Sequence, residues 1–442
     1  MAHIVIIGNG IAGITCARHV RKQGGDQITV ISGETEHFFS RTALMYIYMG
    51  HMKYEHTKPY EDWFWEKNKI DLVFDFVTGI ETGAKSLQLK SGKKIKYDKL
   101  VLATGSQPNK FGWPGQDLPG VQGLYSYQDL ETLEKNTGNC KRAVIVGGGL
   151  IGIELAEMLA SRKIPVTFLV REKSFWDLVL PAEESAMINR HIVEHHIDLR
   201  LDTELKEIKA GPDGKASAII TSTGEEIPCQ VVGLTAGVHA NIDLAKSFGV
   251  ETKRGILVDD HLQTNLPDVY AIGDCAELRN PLPHRKAIEQ VWYTGRMMGE
   301  TLALTLTDKP TRYVPGIWFN SAKFLDIEYQ TYGSVPAIAS EGVDSFWWEH
   351  AAGKKGIRIN FDQATGTVLG MNAMGIRQRH EVWDGWIRQK TKVDRVINEL
   401  EKANFDPEFF DTCEQEIRAA FSTQFPYFEI EKKRKKKLFG IF

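Results

Sequence analysis

The chain of 442 residues is 42% hydrophobic and 25% charged, an ordinary globular composition that excludes a disordered chain. Lys+Arg number 54 against 57 Asp+Glu, a formal charge of -3, so the protein as a whole is no nucleic-acid-binding polycation. No run of eighteen apolar residues occurs, which predicts two or three soluble domains rather than a membrane span. Cys16, Cys140, Cys229, Cys275 and Cys413 include no CxxC pair and no zinc-site spacing, so no metal site is expected. A reducing, cytoplasmic setting suits this cysteine usage. The opening MAHIVIIGNG runs straight into a strand and a glycine turn, so no signal peptide is expected.

Residues 3–7, His-Ile-Val-Ile-Ile, form a β-branched run suited to a buried parallel strand. Gly8-Asn9-Gly10-Ile11-Ala12-Gly13 follows and opens a helix predicted to about Gln23, with a second strand over 27–31. Gly8 allows the tight turn, Gly10 lets backbone approach a pyrophosphate, and Gly13 lets helix pack close to strand. The phosphates then sit at the helix N-terminus, beside Ile11 and Ala12, where unpaired N–H groups and the dipole favour anions. Glu34, a little past the strand end, is the candidate acid for a ribose hydroxyl; the alternative is an ordinary loop carboxylate.

A second unit of the same design starts roughly 140 residues later. The apolar strand at 143–146 leads into Gly147-Gly148-Gly149-Leu150-Ile151-Gly152, then a helix bearing Glu154, then a strand over 166–170. Two such units predict two dinucleotides, a bound flavin and a diffusible nicotinamide, with hydride passing between them. Arg171 ends the second unit's strand and Lys173 lies two residues on. A basic residue there accommodates a 2′-phosphate and favours NADPH. Alternatively, Arg171 points to solvent and Glu172 holds the ribose.

Further motifs follow in order: Tyr97-Asp98-Lys99-Leu100-Val101-Leu102-Ala103-Thr104-Gly105-Ser106, then Leu234-Thr235-Ala236-Gly237-Val238, then Gly255-Ile256-Leu257-Val258-Asp259, then Leu266-Pro267-Asp268-Val269-Tyr270-Ala271-Ile272-Gly273-Asp274-Cys275-Ala276. With them the chain resembles the pyridine nucleotide-disulfide oxidoreductase superfamily of FAD enzymes, over residues 1 to about 310. The resemblance implies an α/β fold with two Rossmann-like dinucleotide-binding domains, for FAD and NAD(P), plus a C-terminal α+β interface domain. It places the FAD domain at 1–112 and 246–312, the NAD(P) domain at 113–245, the interface domain at 313–430 and a basic tail at 431–442. Pro108, Gly112, Pro114, Gly115, Pro119 and Gly120 cluster at the first crossing, as a linker should. It implies cofactor contacts from Val77, Ala103, Thr104, Gly105, Gly237, Gly273, Asp274, Gln290, Val291 and Trp292. Asp274 would accept hydrogen bonds from the ribityl hydroxyls of FAD. Glu154 would stand near the nicotinamide amide as the catalytic residue, or else be a helix-surface charge. A homodimer is compatible with the resemblance.

One position departs from the dithiol members of that superfamily. Counting back from Gly50 along Phe38-Phe39-Ser40-Arg41-Thr42-Ala43-Leu44 puts Thr42 where the redox cysteine belongs. A threonine hydroxyl forms no thiolate, disulfide or sulfenate. The flavin-only branch remains: enzymes resembling ferredoxin and rubredoxin reductases and the flavoprotein portion of nitrite reductase, with Arg41 and Thr42 near the flavin. Tyr46 stands where many ferredoxin reductases place a lysine, and the aromatics of Ile317-Trp318-Phe319-Asn320-Ser321 and Trp292 are either cofactor wall or core. The expected function is an FAD-dependent NAD(P)H oxidoreductase passing electrons to a redox protein such as a ferredoxin or rubredoxin. The alternatives are an NAD(P)H oxidase or quinone reductase, and a flavoprotein subunit or scaffold.

Val382, Trp386, Val393, Ile397 and Leu400 show helical spacing in an amphipathic stretch, packing on the chain itself or on a partner. Lys432-Lys433-Arg434-Lys435-Lys436-Lys437 then precedes Leu438-Phe439-Gly440-Ile441-Phe442. Without these six cations the chain carries -9. The tail is expected to contact an anionic membrane surface or an acidic partner, peripherally, or to be a solvated terminus.

Overall fold

The apolar run His3–Ile7 is the middle strand of a five-stranded parallel sheet in the computed structural model, which describes residues 1–283, 285–409 and 411–431. The strand order is Val269–Ala271, Lys99–Leu102, His3–Ile7, Gln27–Ser32, Ile70–Phe74. Ile4 pairs with Ile28 on one side and Lys99 on the other. Ile4, Val5 and Ile6 are fully buried, in a core that also takes in Ile14 and Val20 of the following helix and Leu87, Leu89 and Ile95 of the antiparallel strands Ser86–Leu89 and Lys94–Lys96. The helix Ile11–Gln23 follows the glycine turn and packs on a second helix, Trp292–Leu306. Gly299 permits that close approach, because a Cβ there would stand 2.5 Å from the Ala12 carbonyl oxygen.

The second fingerprint builds a second parallel sheet in the order Asp198–Arg200, Val166–Leu169, Ala143–Val146, Val231–Leu234, Val121–Gln122. The chain passes between the sheets twice, and the two crossings pair as an antiparallel ribbon, Ser106–Pro108 with Val238–Ala240. Asn109 ties the ribbon's end, donating from Nδ2 to the Ala236 carbonyl at 3.2 Å and holding His239 Nδ1 at 2.8 Å through Oδ1. The two parallel sheets, each opened by a strand, a glycine turn and a helix, carry the expected fold class.

The chain divides into two compact units. The first, Met1–Phe175 with Ile192–Gly316, contains both glycine fingerprints. The second joins Trp176–His191 to the chain from Ile317 onward. Its antiparallel sheet runs Phe319–Phe324, Ile327–Gly333, Val368–Met374, Gly356–Asp362, Val343–Glu349. The segment 176–191 follows the nucleotide strand in sequence but groups with this sheet for a physical reason. Trp176 meets Phe324 and Tyr329 edge-on at 5.9 and 6.3 Å, and Glu184 is fully buried against the sheet. Glu184 Oε1 accepts hydrogen bonds from Arg358 Nε at 3.2 Å and Asn372 Nδ2 at 3.1 Å.

The amphipathic stretch near the C-terminus folds on this unit's own core. Trp383, Trp386, Val393, Val396, Ile397 and Leu400 are buried there. It is two helices, His380–Arg388 and Val393–Asn398, rather than one, because Lys390 at φ 52 breaks the first. The basic run 432–437 and its apolar tip lie outside the described residues.

Burial pushes the Glu184 carboxyl up to about 7, while Arg358 and Asn372 pull the other way. The folded state therefore keeps this proton to higher pH than the unfolded chain does, so the group's contribution to stability declines as pH rises between the ordinary carboxylate range and about 7. Glu184→Gln should gain on the wild type, by on the order of 2 kcal/mol, between about pH 5 and about pH 8. Thermal unfolding of both proteins across that range checks it, and a pH-independent difference contradicts it.

Candidate active site

Both glycine turns are built by contacts that leave no room for a side chain. Gly8 sits at φ 113, and a Cβ on it would lie 2.1 Å from the Ala103 carbonyl oxygen. Gly147 sits at φ 118 with the Thr235 carbonyl 2.7 Å from the same hypothetical atom. Gly13 and Gly152 in turn back onto the Gly8 and Gly147 carbonyl oxygens, at 2.1 and 2.4 Å. Gly10 and Gly149 differ in kind. Each is the N-cap of its helix with no side-chain cap, no acidic residue follows in the first turn, and the space where a Cβ would stand is open. Half-buried Ile11, buried Ala12, and half-buried Leu150 and Ile151 form the first helical turns above them. Two helix N-termini without side-chain caps and with clear backbone approach fit the pyrophosphates of two dinucleotides.

The motif around Asp274 closes on the first turn. Gly273, at φ 75, brings its backbone so near that an added Cβ would be 2.9 Å from Ala12 Cβ. Asp274 Oδ2 accepts a hydrogen bond from Ser106 Oγ at 3.2 Å, and Ser106 Oγ accepts one from Gln290 Nε2 at 2.7 Å. The Ser106 backbone N–H donates to Tyr125 Oη at 2.9 Å. Burial raises the Asp274 carboxyl above its ordinary value, with Ser106 and Arg41 opposing. A ligand offering hydroxyl donors here would satisfy that carboxylate, which fits a ribityl chain. Ser106 and Tyr125 are members of this cluster that sequence reasoning did not select. Ser106 had a signal, since it directly follows the Ala103-Thr104-Gly105 turn; Tyr125 had none.

Arg41 and Glu34, chosen separately from the sequence, meet each other. The guanidinium grips both carboxylate oxygens, Nη1 to Oε1 at 2.9 Å and Nη2 to Oε2 at 2.6 Å. Glu34 Oε1 also accepts the Tyr127 backbone N–H at 3.0 Å, and Arg41 donates to the Tyr125 carbonyl. Burial alone would lower the Arg41 pKa, but Glu34 outweighs it and the pKa is raised. Glu34 is therefore a structural anion of this corner and not an ordinary loop carboxylate.

Thr42 is exposed, with Oγ1 3.1 Å from Ser40 Oγ. Cys16 and Cys275 are fully buried, and burial raises both thiols above their ordinary pKa. All five cysteines are free, and the two in the fingerprint motifs are small core residues. The Val77 side chain is 5% exposed and packs in the core of the first unit. Val291 caps the helix Trp292–Leu306, and Trp292 at its start is exposed, edge-on to Tyr293 at 5.4 Å, so it is not core. Half-buried Glu154 lies on the helix Leu150–Ser161. Thr104 Oγ1 donates to the Asn241 carbonyl at 2.6 Å, Gly105 sits at φ 70, and Gly237 sits at φ 86 beside the ribbon. Arg171 is exposed and donates from Nη2 to Glu172 Oε1 at 2.9 Å. Both residues proposed for ribose recognition thus occupy one surface pair.

A profile of the pyridine nucleotide-disulphide oxidoreductases matches residues 2–299. The chain belongs to this family. Rhodocoxin reductase of Rhodococcus erythropolis is 30% identical over 356 residues, covering 77% of this chain and 81% of that protein. Rubredoxin-NAD(+) reductase of Acinetobacter baylyi is 32% identical over 315 residues, covering 69% and 79%. The fold extends through the C-terminal unit: an NAD-dependent persulfide reductase structure from A. fulgidus superposes with a TM-score of 0.83 at 24% identity, over 98% of this chain and 86% of that one. This oxidoreductase is FAD-dependent and uses NAD(P)H.

With no thiol at position 42 and the fingerprint cysteines buried, flavin reduction should not need thiols. Alkylation of the folded, FAD-loaded protein should leave its NAD(P)H-dependent dye reduction within about twofold of the untreated rate. Loss of flavin reduction with FAD still bound would refute this.

Proposed function

We propose that this enzyme takes hydride from NADPH through FAD and delivers the electrons to a small one-electron redox protein. The observation that carries this reading is the exposed Thr42 beside the Arg41–Glu34 pair, where dithiol members hold a cysteine. FAD and the nicotinamide nucleotide, when bound, would supply the hydride and single-electron chemistry. The chain supplies binding and orientation. Residues 1–112 with 246–312 would hold FAD: the Gly10 amides its pyrophosphate, Asp274 its ribityl hydroxyls, with Ala103, Thr104, Gly105, Gln290, Val291 and Trp292 as further contacts. Residues 113–175 with 192–245 would hold the nicotinamide nucleotide at Gly149, with Glu154 orienting the amide. Two relatives named as reductases of rhodocoxin and rubredoxin support a redox protein as acceptor.

No helix of the described residues is long and apolar enough to cross a membrane. A cytoplasmic location, with peripheral attachment through the basic run 432–437 to an anionic surface or acidic partner, is part of this proposal, as is a homodimer.

Turnover with a ferredoxin or rubredoxin at least about tenfold faster than with oxygen or quinone alone supports the reading. Fast reoxidation by oxygen or quinone alone identifies an oxidase or quinone reductase instead. Arg171 and Lys173 further predict a preference for NADPH of about tenfold, or about 1.4 kcal/mol. Arg171→Glu should shift that preference toward NADH in flavin-reduction assays. Faster wild-type reduction by NADH would show that Arg171 does not read the 2′-phosphate.

A further inference from the structure

The helix Leu150–Ser161 begins at the open Gly149 turn and is followed at its C-cap by Arg162. Twelve residues make a rod about 18 Å long. The Arg162 side chain leaves the nucleotide-binding half at that far end and meets a short helix of the flavin-binding half, Leu44–Tyr48, which comes directly after Arg41, Thr42 and Ala43. Arg162 Nε donates to the Tyr48 carbonyl at 3.0 Å and Nη2 donates to the same oxygen. The guanidinium carbon lies 3.5 Å from the centroid of the Tyr48 ring, which is fully buried. The remaining valence is used on a third helix. Nη1 and Nη2 donate to the two carboxylate oxygens of Glu134, each at 2.6 Å.

Each contact follows from chemistry. The Tyr48 carbonyl closes a helix and has no partner of its own in that helix, so a cation there satisfies it and complements the dipole. The planar fork reaches a carbonyl, a ring face and a carboxylate at once, which an ammonium cannot do. Glu134 belongs to the helix Tyr127–Thr137, whose opposite end is fixed to the Arg41–Glu34 corner. There Tyr127 N–H donates to Glu34 Oε1 at 3.0 Å, and Gln128 Nε2 donates to the Glu34 carbonyl at 2.7 Å. The segment 41–48 is therefore held at both ends by the half that carries Gly149. At the second end Arg162 is the polar anchor, beside the packing of Leu44–Tyr48 on the helices Tyr127–Thr137 and Leu150–Ser161.

We propose that Arg162 is a positioning residue for hydride transfer, setting the flavin-side helix Leu44–Tyr48 against the rod whose other end receives the nicotinamide nucleotide. This rests on the reading of Gly147–Gly152 as the nucleotide turn. Arg162 touches no reacting atom. It acts through the placement of the two halves, where an error of about 1 Å between donor and acceptor is enough to slow transfer about a hundredfold.

The test uses the FAD-loaded full-length protein, mixed rapidly and anaerobically with NADPH and, separately, NADH. Arg162→Ala should lower the limiting rate of flavin reduction about tenfold, with the nucleotide Kd within about twofold of wild type and FAD content unchanged. Amide exchange over residues 44–50 should rise in the same variant, and Arg162→Lys should recover part of the rate. A limiting rate within about twofold of wild type overturns the proposal, as does a loss confined to Kd. If Arg162→Ala does not retain FAD, Glu134→Gln carries the test, with an expected fall of about threefold; an unchanged rate there overturns it equally. A wild type that neither nucleotide reduces defeats the functional reading itself, which separates that failure from failure of the positioning role.

Discussion

The structure depends on two places where backbone passes backbone with no room for a side chain. At Gly8 the turn lies against the end of the neighbouring strand at Ala103, and at Gly147 it lies against Thr235. These approaches, made at positive φ that favours glycine, swing the next residues outward and leave Gly10 and Gly149 facing open space. The helix dipoles and uncapped amides then point at the same openings. Everything chemical that follows is an elaboration of those two cradles.

Polar seams help hold the cradles in a fixed relation, beside the packing of Leu44–Tyr48 on the helices Tyr127–Thr137 and Leu150–Ser161. The ribbon of 106–108 with 238–240 forms the double crossing. The Arg41–Glu34 pair, together with the backbone at 125–127, forms a second seam, and Arg162 with Tyr48 and Glu134 a third. Such contacts are directional, so they fix orientation better than apolar packing alone. They also involve charges that are exposed by about a third or more at Arg162 and Glu134, so their contribution to stability is modest and their contribution to geometry is the larger one.

Local elements were legible because they follow from turn chemistry and hydrophobic period. The strand 3–7, the helix 11–23, the strand 143–146 and the absence of a thiol at Thr42 all read directly from residue order. The burial of Asp274 among Ser106, Gln290 and Tyr125 did not, because those partners lie 16 to 168 residues from it in the chain and are joined by topology. The Arg41–Glu34 pair is hidden for a different reason: each residue on its own suits a ligand, and side-chain pairing within a loop has no sequence period. The segment 176–191 reads as a continuation of the nucleotide half, and its grouping with the C-terminal sheet rests on the partners of Trp176 and Glu184.

On this reading the flavin is the sole redox centre of the chain, and buried Cys16 and Cys275 serve as packing. An anaerobic reductive titration of the FAD-loaded protein tests it most directly, because it counts electrons regardless of which acceptor is used. The flavin should bleach fully after uptake of two electrons per FAD, with no long-wavelength thiolate-to-flavin band and no change in free thiols. Uptake of additional electrons before bleaching, accompanied by new thiols, would contradict it.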